Sequence, residues 1–345
     1  MQRKPLSMRK KILFSLPAFL GCIVVCEAML RVFDVYYHPL NIEIHGIETD
    51  WRLAHSFEFD CFVYDPNLIW RPKKNFNVFN AQGFRGEELS EPKQPNEYRI
   101  FTIGDSNTLG WRVDDKNRGS NWPANLFELL PKPTDPTIVT TKPVKRYSVT
   151  NAGIWGYSSY QGLQQLKEIV AYKPDLVTIS FGSNDAMLVT IPDTQFTSTL
   201  FESIIGRTRI GQLMIQLYDN IEAGAQDVDD GVLVHRVSPD EYRANLCEMA
   251  RICKENGIEC VLLTRPFIGD CEDHINPELW WKWFAPQYVD ATIEAGREAD
   301  VMVIDVNSHF KDRPDLFADE SHFTEQGNRL AAKFIYEQIK PLLPD

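Results

Sequence analysis

The chain reads as a three-layer α/β/α domain around a parallel five-stranded sheet, and three observations predict it. From Tyr98 onward, short β-branched runs alternate with helical stretches, the signature of strands covered on both faces. The runs fall near 98–104, 146–151, 175–181, 259–265 and 301–306. The helical stretches fall near 121–130, 158–171, 239–256, 278–298 and 324–341, each returning the chain by a right-handed crossover. This is a flavodoxin-like arrangement, and in such open sheets ligands bind beyond the carboxyl ends of the strands.

Ahead of that domain, residues 1–11 form a basic tail with Arg3, Lys4, Arg9, Lys10 and Lys11. Residues 12–30 are mostly apolar, and as a helix they would extend about 28 Å at ~1.5 Å per residue, close to the hydrocarbon thickness of a bilayer. After the apolar run the next basic residues are Arg31 and Arg52, so the positive-inside rule puts the tail in the cytoplasm and everything after Leu30 outside. The expectation is a transmembrane signal-anchor carrying an extracytoplasmic domain, periplasmic or extracellular. Secretion after signal cleavage is the alternative, but Val25-Cys26-Glu27-Ala28 lacks an A-x-A-like site. A lipoprotein site at Cys22 fits poorly with the bulky Leu20 and the apolar run beyond it.

Residues 31–97, rich in aromatics, Pro and Asn, read as an extended lead-in packing on the main domain. Residues 98–345 hold the α/β domain. Within it, 187–237 break the alternation and read as an insertion able to cap the site. Its acidic stretch, Asp227 to Asp230, is too short and incomplete for a calcium loop.

Composition narrows the function classes. The 36 basic and 48 acidic residues give a net charge of −12, with no clustered Lys and Arg, so nucleic acid is not an expected partner. The seven cysteines include Cys22 and Cys26 in the apolar segment, which leaves Cys61, Cys247, Cys253, Cys260 and Cys271. An odd number with no metal spacing predicts small core residues rather than a disulfide framework, and no metal or cofactor is expected.

The chemistry is carried by the ends of the runs. Ser106 sits in Gly104-Asp105-Ser106 directly after Ile100 to Ile103, and His322 sits in Asp319-Glu320-Ser321-His322. A serine hydroxyl is a weak nucleophile until an imidazole takes its proton, and the imidazole needs a third group to fix its tautomer. Asn151-Ala152-Gly153 and Gly182-Ser183-Asn184-Asp185 end two further runs and could each supply an oxyanion donor. All of these fall at the same edge of the sheet.

Taken in order, Ser106, Gly153, Asn184 and Asp319/His322 resemble the four motif blocks of the SGNH (GDSL-type) hydrolase family, over about residues 98–342. Asn80-Ala81-Gln82-Gly83-Phe84-Arg85-Gly86 is similar to a lead-in found before the first block in bacterial members. One departure is Asn107 where the family names Leu, although Thr108 and Gly110 keep the Gly-Asp-Ser-x-Thr-x-Gly form.

The resemblance implies a serine esterase that needs no cofactor, with Ser106 as nucleophile, His322 as base and Asp319 orienting it. The oxyanion would be held by the N–H groups of Ser106 and Gly153 and the amide of Asn184. The substrate class is a small acyl ester. Trp111 and the run Trp280-Trp281-Lys282-Trp283-Phe284 could stack on sugars, which makes O-acylated carbohydrate the leading candidate, and equally could pack a helix on the sheet. Acyl transfer to a glycan, a lysophospholipase or thioesterase, and a non-catalytic binding module are the alternatives. Asp105 and Asp185 sit in tight turns where Asp bonds backbone N–H groups, so structural support is their expected role. His309 is the rival base, without an Asp at the matching spacing.

Overall fold

The computed structural model describes residues 8–33, 35, 62–65, 67–110, 121–132, 146–189, 192–195, 206–214, 217, 234–268 and 285–344. Trp111, Trp280 to Phe284, the 224–231 stretch, Cys61 and Cys271 lie outside these residues. The chain divides into two compact units, one of residues 1–42, 62–71 and 197–230 and the other of residues 43–61, 72–196 and 231–345.

In the first unit, helix α1 runs Met8–Val32, longer at both ends than the apolar run that predicts it. Its window Ser15–Val32 has a mean hydropathy of 1.7 and is long and apolar enough to cross a membrane. The short strands β1 (Phe62–Asp65) and β2 (Ile69–Pro72) pair, and Asp65 closes the turn between them by accepting the N–H groups of Asn67 and Leu68 at 2.9 Å.

The second unit holds the sheet. Its strands are β3 (Glu97–Gly104), β4 (Arg146–Gly153), β5 (Leu176–Ser180), β8 (Glu259–Leu263) and β9 (Met302–Ile304), in the order β4-β3-β5-β8-β9 and all parallel. The numbers β6 and β7 belong to a two-residue ribbon, Leu188–Val189 paired antiparallel with Val234–His235. Parallel pairing needs a crossover after every strand, and the helices supply it. They are α3 (Trp122–Leu129), α4 (Ser159–Ile169), α5 (Pro239–Glu255), α6 (Ala285–Ala299) and α8 (Glu325–Ile339); α2 (Ser106–Leu109) and α7 (Val306–Phe310) are single turns.

Because side chains alternate along a strand, β3 feeds two cores. Tyr98 and Ile100 join a buried cluster with Trp122 and Leu126 of α3 and Ala331 and Ile335 of α8. Phe101, equally buried, packs edge-on against Phe84 at 5.3 Å between ring centres. On full burial each such side chain contributes about 1.5–3 kcal/mol. Cys253 and Cys260 are buried free thiols within this frame.

Register then places the site. Gly104 pairs with both Gly153 and Ser180, so β3, β4 and β5 end in one row, and the loops leaving that row carry Ser106, Gly156 and Asn184.

Candidate active site

Ser106 opens α2 directly after β3. Asp105 caps that turn in extended conformation, its Oδ1 accepting the N–H of Asn107 at 2.9 Å. As the first residue of the turn, Ser106 has an N–H without a partner inside the turn. The far end of α2 is held too. Asn151 Nδ2 donates to the carbonyl of Thr108 at 2.8 Å, and Arg85 Nη1 donates to that of Leu109 at 2.8 Å. Arg85 is itself placed by its N–H bond to Asn151 O at 2.9 Å, which lays the 80–86 segment along the edge strand β4.

His322 arrives from the loop before α8. Its Nε2 lies 2.8 Å from Ser106 Oγ, and its Nδ1 lies 2.8 Å and 2.9 Å from the two carboxylate oxygens of Asp319. Asp319 Oδ1 also accepts the N–H groups of Ser321 at 3.0 Å and His322 at 2.9 Å, so the Asp-x-x-His turn is closed on itself. Burial would raise the Asp319 carboxyl. The bond to His322, the His322 charge and the two N–H groups outweigh it and hold the carboxyl well below the usual carboxylate range. His309, the rival base, is stacked on Phe334 with ring centres 3.9 Å apart.

Asn184 lies on the loop after β5, where its Nδ2 donates to the carbonyl of Tyr157 at 2.9 Å. An amide nitrogen has two hydrogens, so a second remains to donate. The loop is fixed by buried Asp185, whose oxygens accept Ser159 N–H at 2.8 Å and Gly182 N–H at 3.1 Å. Asp105 and Asp185 therefore both brace loops.

Gly153 is the point at which the structure departs from the expectation. Its N–H is spent on Asn151 Oδ1 at 2.9 Å. Glycine is required there for another reason: a Cβ would stand 2.3 Å from Leu109 N and 2.7 Å from Thr108 C, inside the backbone of α2. Three residues on, Gly156 has φ +74°, a conformation that favours glycine, and neighbours the Tyr157 carbonyl that holds Asn184.

Several residues that shape the site escape a reading of the sequence. Arg236 and Asp193, 43 positions apart, form a buried pair at 2.8 Å, and Arg236 also donates to the carbonyl of Gly156 at 2.6 Å and to Gln161 Oε1 at 2.6 Å. Arg265, just past β8, pairs with Asp105 at 2.7 Å. The signal for both is a basic residue closing an apolar run.

The sequence model of the GDSL-like lipase/acylhydrolase family matches residues 102–330. The chain belongs to that family. This GDSL-type acylhydrolase is accordingly an enzyme acting on ester bonds. Solved structures similar to it include an α/β hydrolase from the metagenome of Lake Arreo, Spain (20% identity, 72% of this chain and 97% of that chain, TM-score 0.46). Others are a catalytic mutant of an acetylxylan esterase from Geobacillus stearothermophilus (20%, 70% and 94%, 0.45) and a lipolytic G-D-S-L family member from Veillonella parvula (14%, 70% and 98%, 0.44). No curated protein sequence matches the chain.

Proposed function

We propose that this acylhydrolase is a tethered extracytoplasmic serine esterase working through Ser106, His322 and Asp319. The observation that carries the reading is the unbroken hydrogen-bonded line from Ser106 Oγ through both nitrogens of His322 to Asp319. Ser106 Oγ attacks the ester carbonyl as His322 Nε2 takes its proton, and Asp319 stabilises the imidazolium. The tetrahedral oxyanion is met by the N–H of Ser106, the free hydrogen of the Asn184 amide and a loop N–H, for which Gly156 is better suited than Gly153. His322 then returns the proton to the departing alkoxide and the alcohol leaves. Water attacks the acyl-Ser106, giving its proton to His322, and collapse releases the carboxylic acid and restores the serine.

The tether reading is supported by the length and hydropathy of the Ser15–Val32 window of α1 and by the five basic residues before that window. A sugar hydroxyl as the alcohol part of the ester is favoured by Trp111, Trp280, Trp281 and Trp283. The test is a fluorophosphonate probe on the detergent-purified full chain. A stoichiometric adduct on the peptide containing Ser106, lost in Ser106→Ala, is the expected result; a folded protein that takes up no probe overturns the reading.

A further inference from the structure

Ser106 and His322 stand 216 positions apart, yet their side chains meet at 2.8 Å. The residues on either side of them show how. Asp105, immediately before Ser106, accepts Arg265 Nε on Oδ2 at 2.7 Å. The same guanidinium donates from Nη1 to the carbonyl of Ser321, immediately before His322, at 2.6 Å, and to Pro266 O at 2.8 Å. On the other side, Asn107, immediately after Ser106, accepts the N–H of Phe323, immediately after His322, at 3.4 Å. All of these groups are buried, with Arg265 at 3% exposure and Asp105 at 0%.

We propose that Arg265 is a positioning residue that sets the separation of nucleophile and base, with the Asn107–Phe323 bond as a weaker second tie. The proposal rests on the reading of Ser106 and His322 given above. One side chain just past the end of β8 joins the loop after β3 to the loop before α8, so those loops are referenced to one shared group as well as to each other. Only a guanidinium suits this. Its planar fork presents donors at fixed angles to a carboxylate and a carbonyl together, whereas a lysine ammonium is a point charge on a flexible stem. Burying a charge pair is costly, and hydrocarbon of similar volume could fill the space, so packing alone does not account for it. Asn107, the departure from the family's Leu, has a role in the same terms: its carbonyl oxygen reaches a backbone N–H that leucine could not bond.

Misplacement of reacting groups by about 1 Å is enough to cost on the order of 10²-fold in rate. Arg265→Lys should therefore lower kcat on p-nitrophenyl acetate by roughly 10- to 10²-fold with KM nearly unchanged, and slow fluorophosphonate labelling in parallel. Asn107→Leu should do the same more weakly. A purely structural role predicts a lower Tm with parental kcat per folded molecule, so kcat, KM and Tm are measured on one preparation. Should Arg265→Lys fail to fold, Asp105→Asn/Arg265→Met removes both charges and leaves neither orphaned; lowered kcat in the folded double variant supports the proposal. Parental kcat in whichever variant folds overturns it. Ser106→Ala run alongside separates the two ideas: if it stays active the nucleophile assignment is wrong, whereas a dead Ser106→Ala beside a fully active Arg265 variant removes the positioning role alone.

Discussion

Gly153 gives its N–H to Asn151 Oδ1, 2.9 Å away, so β4 ends by bonding to itself beneath the α2 turn. The same Asn151 side chain bonds Thr108 O from its other end, which makes the pair a foundation for α2. Gly153→Ala keeps the N–H and adds a methyl where the α2 backbone already lies. Overpacking of this kind costs about 1–3 kcal/mol, and at about 2–4 °C per kcal/mol in a domain of this size Tm should fall by several degrees. Thermal unfolding followed by circular dichroism measures it, and an unchanged Tm would refute the packing account.

Asn184→Ala tests the oxyanion assignment. The free amide hydrogen gains strength only as the carbonyl oxygen gains charge, so kcat should drop by roughly 10²- to 10³-fold while KM stays close to that of the parent. If instead KM alone rises, Asn184 binds ground-state substrate and has no part in stabilising the transition state.

Acid should unfold the protein through two carboxylates. Glu97 is held down to about 2: burial raises it, but Arg99 and Ser148 bonds and those from Gln94 and Ser90 lower it further. Asp319 lies lower than its ordinary value as well. Folded values below unfolded ones mean that the unfolded chain binds more protons, so the stabilisation is complete above the ordinary carboxylate range and drains away as pH falls from about 4.5 toward 2. Tm measured from pH 7 to pH 3 should be level at first and then fall steeply below about 4.5, less so in Glu97→Gln. A Tm that holds level to pH 3 would falsify the assignment of acid lability to these groups.

Topology has a direct readout. Alkaline phosphatase fused after Asp345 should be active in cells and a fluorescent protein that matures only in the cytoplasm should be dark at the same position, with the fusion pelleting with membranes. The reverse pattern would place the esterase domain in the cytoplasm.

Much of the sheet is legible in the sequence because a parallel strand buried on both faces is an apolar run, as Cys260 to Leu263 is, and its neighbours are helices with capping signals such as Ser238 before α5 and Glu241 in its first turn. The Asp319-x-x-His322 turn is equally local: four contacts within four residues close it. What escapes is competition for hydrogen bonds between distant segments. The bond that takes the Gly153 N–H is a local turn from Asn151 two residues before it, but that side chain is turned toward Gly153 only because its other end is held by the distant Thr108 carbonyl. Arg265 likewise looks like an ordinary strand-ending cation until the loops from β3 and from before α8 converge on it.

The β6–β7 ribbon brings together two segments that lie far apart in the chain. Leu188 lies opposite His235 and Val189 opposite Val234, and the Asp193 N–H reaches Arg236 O at 2.9 Å, so the chain leaves the domain and re-enters it at one point. The ribbon fixes the two ends of the chain that joins its strands, and doubling a loop's length costs about 0.6 kcal/mol of closure entropy. A change of chain length there leaves the ribbon in place, and with it the frame that holds Ser106, His322 and Asp319.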